Sequence, residues 1–91
     1  MPTRIPNDPI ALALAALAAT LSEERRAQRF LDLTGIGTGE LRNRLGDPAL
    51  LSALLRFLEA HEPDLISVAG ELGCKPEELV EARADLEEGR I

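Results

Sequence analysis

The two side chains of this 91-residue chain with the most inherent reactivity are its one cysteine, Cys74, and its one histidine, His61. A thiolate beside an imidazole is a nucleophile–base pair, and it needs a third group to orient the base. The spacing of Cys74 and His61 permits such a dyad, but no Asn or Asp orienter and no glycine-rich oxyanion loop marks it. One thiol also rules out an internal disulfide and leaves no second sulfur for a metal. Cys74 lies between Gly73 and Lys75 and reads as a small buried hydrophobe, since nothing nearby is arranged to lower its pKa. His61 sits at a helix end beside Glu62 and Pro63, where a cation is favourable for structural reasons alone. Gly35-Ile36-Gly37-Thr38-Gly39 has the glycines of a phosphate loop, but it follows a helix rather than a strand and lacks the lysine. The pairs Glu77-Glu78 and Glu87-Glu88 are adjacent in sequence, point to different sides of a helix, and so do not share a metal easily. No catalytic, metal or cofactor-binding residue is assigned, and the chain is expected not to be an enzyme.

One longer motif remains, from Ser67 to Arg83. Ala69, then Gly73, then Leu79 and Ala82 have the spacing of a helix-turn-helix: a small residue for close approach, a glycine turn, and apolar locks on the second helix. A DNA reader presents Arg, Lys, Asn or Gln at the start of that second helix. This one presents Glu77, Glu78 and Glu81, followed by Asp85, Glu87 and Glu88, and each acid near a phosphate opposes binding. The geometry fits a helical corner and the charge rejects a groove. Arg25, Arg26 and Arg29 form the one basic face, read as solvated surface.

The elements that must position these residues are helical. Leu, Ala, Ile and Val supply most of a hydrophobic fraction of 45%, with Phe30 and Phe57 the only aromatics. Leu and Ala lose little entropy in helices, and β-branched residues are too scattered for strands. Met1 to Asn7, with Pro2 and Pro6, reads as a lead-in, and residues 8–89 as one helical domain. Asp8-Pro9 opens a first helix to about Thr20, with Ile10, Leu14, Leu17 and Leu21 as its stripe. Its other faces are apolar too, so it is either central to the core or covered by a partner subunit. Ser22 is expected to cap a second helix, Glu23 to Thr34, with Ala27, Phe30, Leu31 and Thr34 inward and Gly35 ending it. Thr38 is expected to cap a short third, Gly39 to Leu45. Asp47-Pro48 opens the fourth, to about Ala60, with Leu50, Leu51, Leu54, Leu55 and Leu58 on a wide face flanked by Phe57. A fifth, Asp64 to Leu72, turns Leu65, Ile66, Val68, Ala69 and Leu72 inward. A sixth runs from Pro76 to Gly89 through Leu79, Ala82 and Leu86.

The net charge of −6 lies wholly in the last third. Seven basic and seven acidic residues cancel between Met1 and His61, and nine acids face Lys75, Arg83 and Arg90 beyond it. That end would repel nucleic acid and anionic membranes but not a basic or neutral protein. Arg4 and the apolar residues 10–19 have some character of a secretion signal. The weak basic region, and Asp8-Pro9 where insertion would begin, favour a buried helix instead. The run is also shorter than the ~20 apolar residues that span a bilayer.

Asp8-Pro9 to Leu12 echoes Asp47-Pro48 to Leu51, and Gly35 to Leu41 echoes Gly73 to Leu79. Two three-helix halves by duplication explain this, and so does the shared grammar of caps and stops. Asp47 to Leu58, Glu62-Pro63-Asp64-Leu65, Leu72 to Leu79 and Ala82 to Leu86, preceded by Arg29 to Gly35 and Glu40-Leu41-Arg42, together resemble a domain-of-unknown-function family of short alphaproteobacterial proteins. The likeness runs from about Asp8 to Leu86. Gly37 and Gly39 depart from the Pro or Asp and acidic residues of that pattern, which implies a looser third helix. The resemblance implies a cytoplasmic all-α protein and carries over no activity and no functional residue. The resulting expectation is an all-α bundle of five to six short helices, acting in the cytoplasm as a protein-interaction domain. Its partner would be an unidentified protein or a second copy at the first helix. The alternative is a helix-turn-helix regulator.

Overall fold

Two Asp-Pro pairs begin the two helices on which the rest of the molecule packs. Asp8 Oδ1 accepts a hydrogen bond from the Ile10 N–H at 3.0 Å, and Asp47 Oδ1 accepts one from Ala49 at 2.9 Å. In each case a proline fills the first helical position, where no N–H is needed. The computed structural model describes residues 8–89; the lead-in read at Met1 to Asn7 lies outside them. The elements are α1 (Pro9–Leu21), α2 (Glu24–Thr34), α3 (Thr38–Asn43), α4 (Pro48–Glu59), α5 (Glu62–Leu72) and α6 (Pro76–Glu88). The described residues contain no strand, and the fold is an all-α bundle.

The core is aliphatic but for Phe30 and Phe57, draws on all six helices, and is broadest where α1, α4 and α6 meet. Leu50, Leu51, Leu54, Leu55 and Leu58 of α4 are each at most 1% exposed, as the spacing of the leucines predicts. α1 packs against α2, α4, α5 and α6, and Ala18 is its single exposed residue. Its all-round apolarity is therefore accounted for inside one chain. The expected stripe on this helix is corrected. Leu12, Ala13, Ala16, Leu17 and Thr20 are buried, and Ile10, Leu14 and Leu21 are only half-buried. A helix apolar on every side has no period to read, and the small Ala13 and Ala16 are what let its neighbours come close. Thr20 is tolerated there because its hydroxyl donates to the Ala16 carbonyl at 2.8 Å.

Local boundaries differ in ways the capping chemistry explains. Glu23, not Ser22, caps α2; its carboxylate accepts from the N–H groups of Arg26 first and Arg25 second, which holds its pKa below the usual range. Ser22 instead closes α1, its hydroxyl donating to the Ala19 carbonyl. Thr38 lies inside α3, with Gly37 at the cap, and α3 is only six residues long with Leu41 as its one buried side chain. Ile66, expected inward, is 54% exposed. On α2 only Phe30 of the expected stripe is fully buried; Ala27, Leu31 and Thr34 are half-buried. Gly35, Gly73 and Gly89 end their helices at φ of 70°, 73° and 74°, a left-handed turn that glycine alone makes without strain.

Arg26, read as solvated, is 6% exposed. Its guanidinium donates to the Ala19 carbonyl at 2.7 Å and pairs with Glu71 of α5 at 3.1 Å. The two halves of the chain share the Asp-Pro starts of α1 and α4 and the left-handed glycines at 35 and 73, but neither their other caps nor their packing. α6 has broad interfaces with α1 and α4, while α3, its counterpart, lies at the periphery.

Charged groups fasten α6 to α4. Arg56 Nη2 donates to Glu87 Oε1 at 2.6 Å, and Arg83 pairs with Glu59 at 2.9 Å and with Glu87 at 3.2 Å. The Ser52 hydroxyl also donates to Glu87. The Arg56 guanidinium first, then Ser52 and Arg83, hold the Glu87 carboxyl down at about 2. An unfolded glutamate titrates at about 4.3. The folded value is the lower one, so this group's contribution to stability is complete above the unfolded value and is lost as pH falls through the folded one. Chemical denaturation should show stability declining between about pH 4.5 and about pH 2. Glu87→Gln should be less stable than the parent at neutral pH and show a shallower decline. Equal pH slopes for the two proteins would remove Glu87 from the account.

Candidate functional site

The residues with inherent reactivity are kept apart. His61 precedes α5 at the turn out of α4, and Cys74 follows its far end. Eleven helical residues lie between them, a rise of roughly 16 Å, so the two cannot exchange a proton directly. His61 is exposed and makes its bonds through its backbone: its N–H donates to the Leu58 carbonyl, and its carbonyl accepts from Asp64 and Leu65. Cys74 is half-buried rather than fully buried, its N–H donating to the Ala69 carbonyl at 2.9 Å. Burial first, and the neighbouring Glu78 carboxylate second, push its thiol pKa up. A raised pKa is the reverse of what a nucleophilic cysteine needs.

The corner made by α5 and α6 has the turn expected of it, with Gly73 left-handed and Pro76 at the first position of α6. Its packing differs from that of a free-standing reader, because both helices lie against α1 and α4 more than against each other. Glu77 and Glu81 stand exposed on α6, and the Glu78 carboxylate accepts from the Lys75 N–H at 2.9 Å. Acids in a first helical turn complement the helix dipole, which gives them a structural use. Among the described residues no three His, Cys, Asp or Glu groups come together as metal ligands.

The concavity worth attention lies elsewhere, between α2 and α4. It is a groove of about 450 Å³ lined by Arg29, Leu33, Thr34, Ala53, Phe57, Ala60 and His61. Its α4 wall is Ala53, Phe57 and Ala60, spaced i, i+4, i+7 along one face. Two alanines flanking a phenylalanine leave room on either side of the ring. The α2 wall carries Arg29 and Leu33, one turn apart. Phe57 stays in place because the ring of Phe30, fully buried, meets it edge-on at 5.4 Å and 67°. The Arg29 guanidinium lies 5.7 Å from the centre of the Phe57 ring and is ion-paired with Asp64. Leu33 is 74% exposed, the most exposed large apolar side chain among the described residues.

Sequence reasoning singled out His61 and Arg29 for other reasons and missed the groove that joins them. The available signal was Leu33, a large apolar residue set off the inward stripe of an otherwise polar helix. The rest depends on how far α2 stands from α4, which no residue pattern states.

A cysteine held neutral in this way should react slowly. At pH 8, Cys74 should couple to a soluble aromatic disulfide reagent more slowly than free cysteine does, and speed up once urea unfolds the chain. A native rate equal to or above that of free cysteine would contradict the burial and the carboxylate as controls on this thiol.

No curated protein and no solved structure matches the chain. A family model described as a protein of unknown function (DUF3572) matches residues 6–89, nearly the whole sequence. The chain, an all-α bundle in its described residues, belongs to the DUF3572 family.

Proposed function

We propose that this chain is a small non-catalytic interaction domain of the cytoplasm, and that it takes a protein segment into the groove between α2 and α4. The observation that carries this reading is Leu33, left 74% exposed at the edge of a concave apolar surface whose floor is Phe57. A concave, mostly apolar surface is where a ligand or partner segment is most readily taken up, and Leu33 adds apolar area at its edge. The raised thiol of Cys74, and its separation from His61, support a non-catalytic role. The acids exposed on α6 support a partner other than nucleic acid, and no helix among the described residues is long and apolar enough to cross a membrane. Leu12, Ala13, Ala16 and Leu17 of the run 10–19 are buried in the core, which favours a structural use for that run over a secretion signal. Four helices of the same chain pack on α1, which favours the groove over α1 as the contact surface.

Leu33→Glu is a suitable probe, since a side chain so exposed can change without disturbing the core. Parallel affinity capture from native cytosol with the parent and the variant should show one or more proteins retained by the parent and lost from Leu33→Glu, both baits giving the same helical circular dichroism. Identical captured sets would contradict an interaction through this groove.

A further inference from the structure

We infer that the occupant of the α2–α4 groove is an acidic amphipathic helix of a partner protein, one that lays aliphatic side chains over Phe57 and a carboxylate against Arg29. The inference rests on the proposed interaction role and specifies its chemistry. The shape argues for a helix. Both walls are helical, the apolar contacts on α4 recur at i, i+4 and i+7, and the alanines at 53 and 60 form two shallow seats separated by one ring. A helix presenting apolar side chains with the same period fits such a surface, as in helix-in-groove recognition.

The charge argues for acid. Among the described residues that line the groove, Arg29 and His61 carry basic groups, Thr34 is neutral, and there is no carboxylate. The Thr34 hydroxyl donates to the Phe30 carbonyl, so it makes no demand on a ligand. Arg29 pairs with Asp64, yet its side chain is 44% exposed while Asp64 is 14% exposed and faces it from α5. A guanidinium has five N–H donors, and one carboxylate uses at most two of them, so donors are left for a second. Arg25, one turn earlier on α2, is also exposed; on the same side the exposed Asp32 accepts from the Gln28 amide, so Arg29 is the cation that the groove itself presents. The acids that make the chain −6 overall begin beyond His61, and α6, which carries most of them, packs on α1 and α4 rather than at this groove. A basic partner helix would find its attraction at α6 and no carboxylate among the described residues that line this groove.

The test uses the full chain and two labelled peptides of about eighteen residues, roughly 27 Å long as helices. Both carry Leu on one face and Ala between; one has Glu and the other Lys at the flanking positions. Fluorescence anisotropy should show the Glu peptide binding at least about tenfold more tightly than the Lys peptide at low salt, the gap narrowing as salt screens the pair. Arg29→Gln should weaken the Glu peptide about tenfold, a typical effect of losing one charge-assisted contact. Arg29→Lys should recover part of that loss, and Leu33→Glu should abolish binding. Circular dichroism of each variant separates a lost contact from a lost fold, and Leu33→Glu, changed at an exposed position, carries the test if Arg29→Gln unfolds. Equal binding of both peptides, preference for the Lys peptide, or binding that ignores Arg29 overturns the inference while leaving an interaction role intact, and binding that also ignores Leu33 overturns the groove as the place of interaction. Saturation of the groove by decanoate, with neither peptide binding, overturns it in favour of a small amphipathic acid. No binding of either peptide, together with capture insensitive to Leu33→Glu, overturns the interaction role as well.

Discussion

Everything else in the molecule depends on the contact between two apolar helices, α1 and α4. Each begins with an aspartate cap and a proline, so each has a fixed starting point, and each is too apolar to face water on more than one side. α5 and α6 cover the surfaces that this pair leaves open. The radius of gyration, 12.2 Å, is that of a chain of this length closed on a single core, roughly 12 Å. A domain of this size has about 5–15 kcal/mol of stability in total, and truncating one buried leucine removes about 2–5 of it. No residue in that contact is therefore spare, and functional variation has to lie outside it.

α2 is where the molecule is less constrained. Its hydrophobic anchor is Phe30, and much of the rest of its attachment is electrostatic, Arg26 to Glu71 and Arg29 to Asp64, both reaching α5. Such pairs fix orientation more than they add stability, because the groups lose hydration as they pair. Arg26 illustrates this, since its buried Nε has no hydrogen-bond partner. α2 rests on α1 and α4 around Phe30 and reaches α5 through its arginines, while Leu33 stands outside that contact. The groove is the space that results, and the exposed Leu33 at its edge is the same geometry seen from α2.

How much of this could be read from the residues varies with the kind of signal. The leucines of α4 and the caps at Asp8, Asp47, Gly35 and Gly73 are local grammar and were legible. The buried face of α1 was not, because a helix apolar on all sides has no period. Arg26 was misread for a different reason: its burial depends on a carbonyl seven residues back and a glutamate forty-five residues ahead, and only the fold brings these together. Of the groove, Arg29, His61 and Phe57 were visible as residues but not as neighbours. Leu33 gave the one local hint, an apolar side chain on the wrong side of a polar helix.

Native-state hydrogen exchange tests the central claim, that α1 and α4 form a core completed within one chain while α2 is held more lightly. The amides of α1 and α4 should exchange only through global unfolding, with the same free energy as chemical denaturation reports. Those of α2 should exchange through a local opening of lower free energy, and none of these values should depend on protein concentration. Exchange in α1 as fast as in α2, or protection of α1 that rises with concentration, would mean that another molecule has to cover that helix, and would contradict the account.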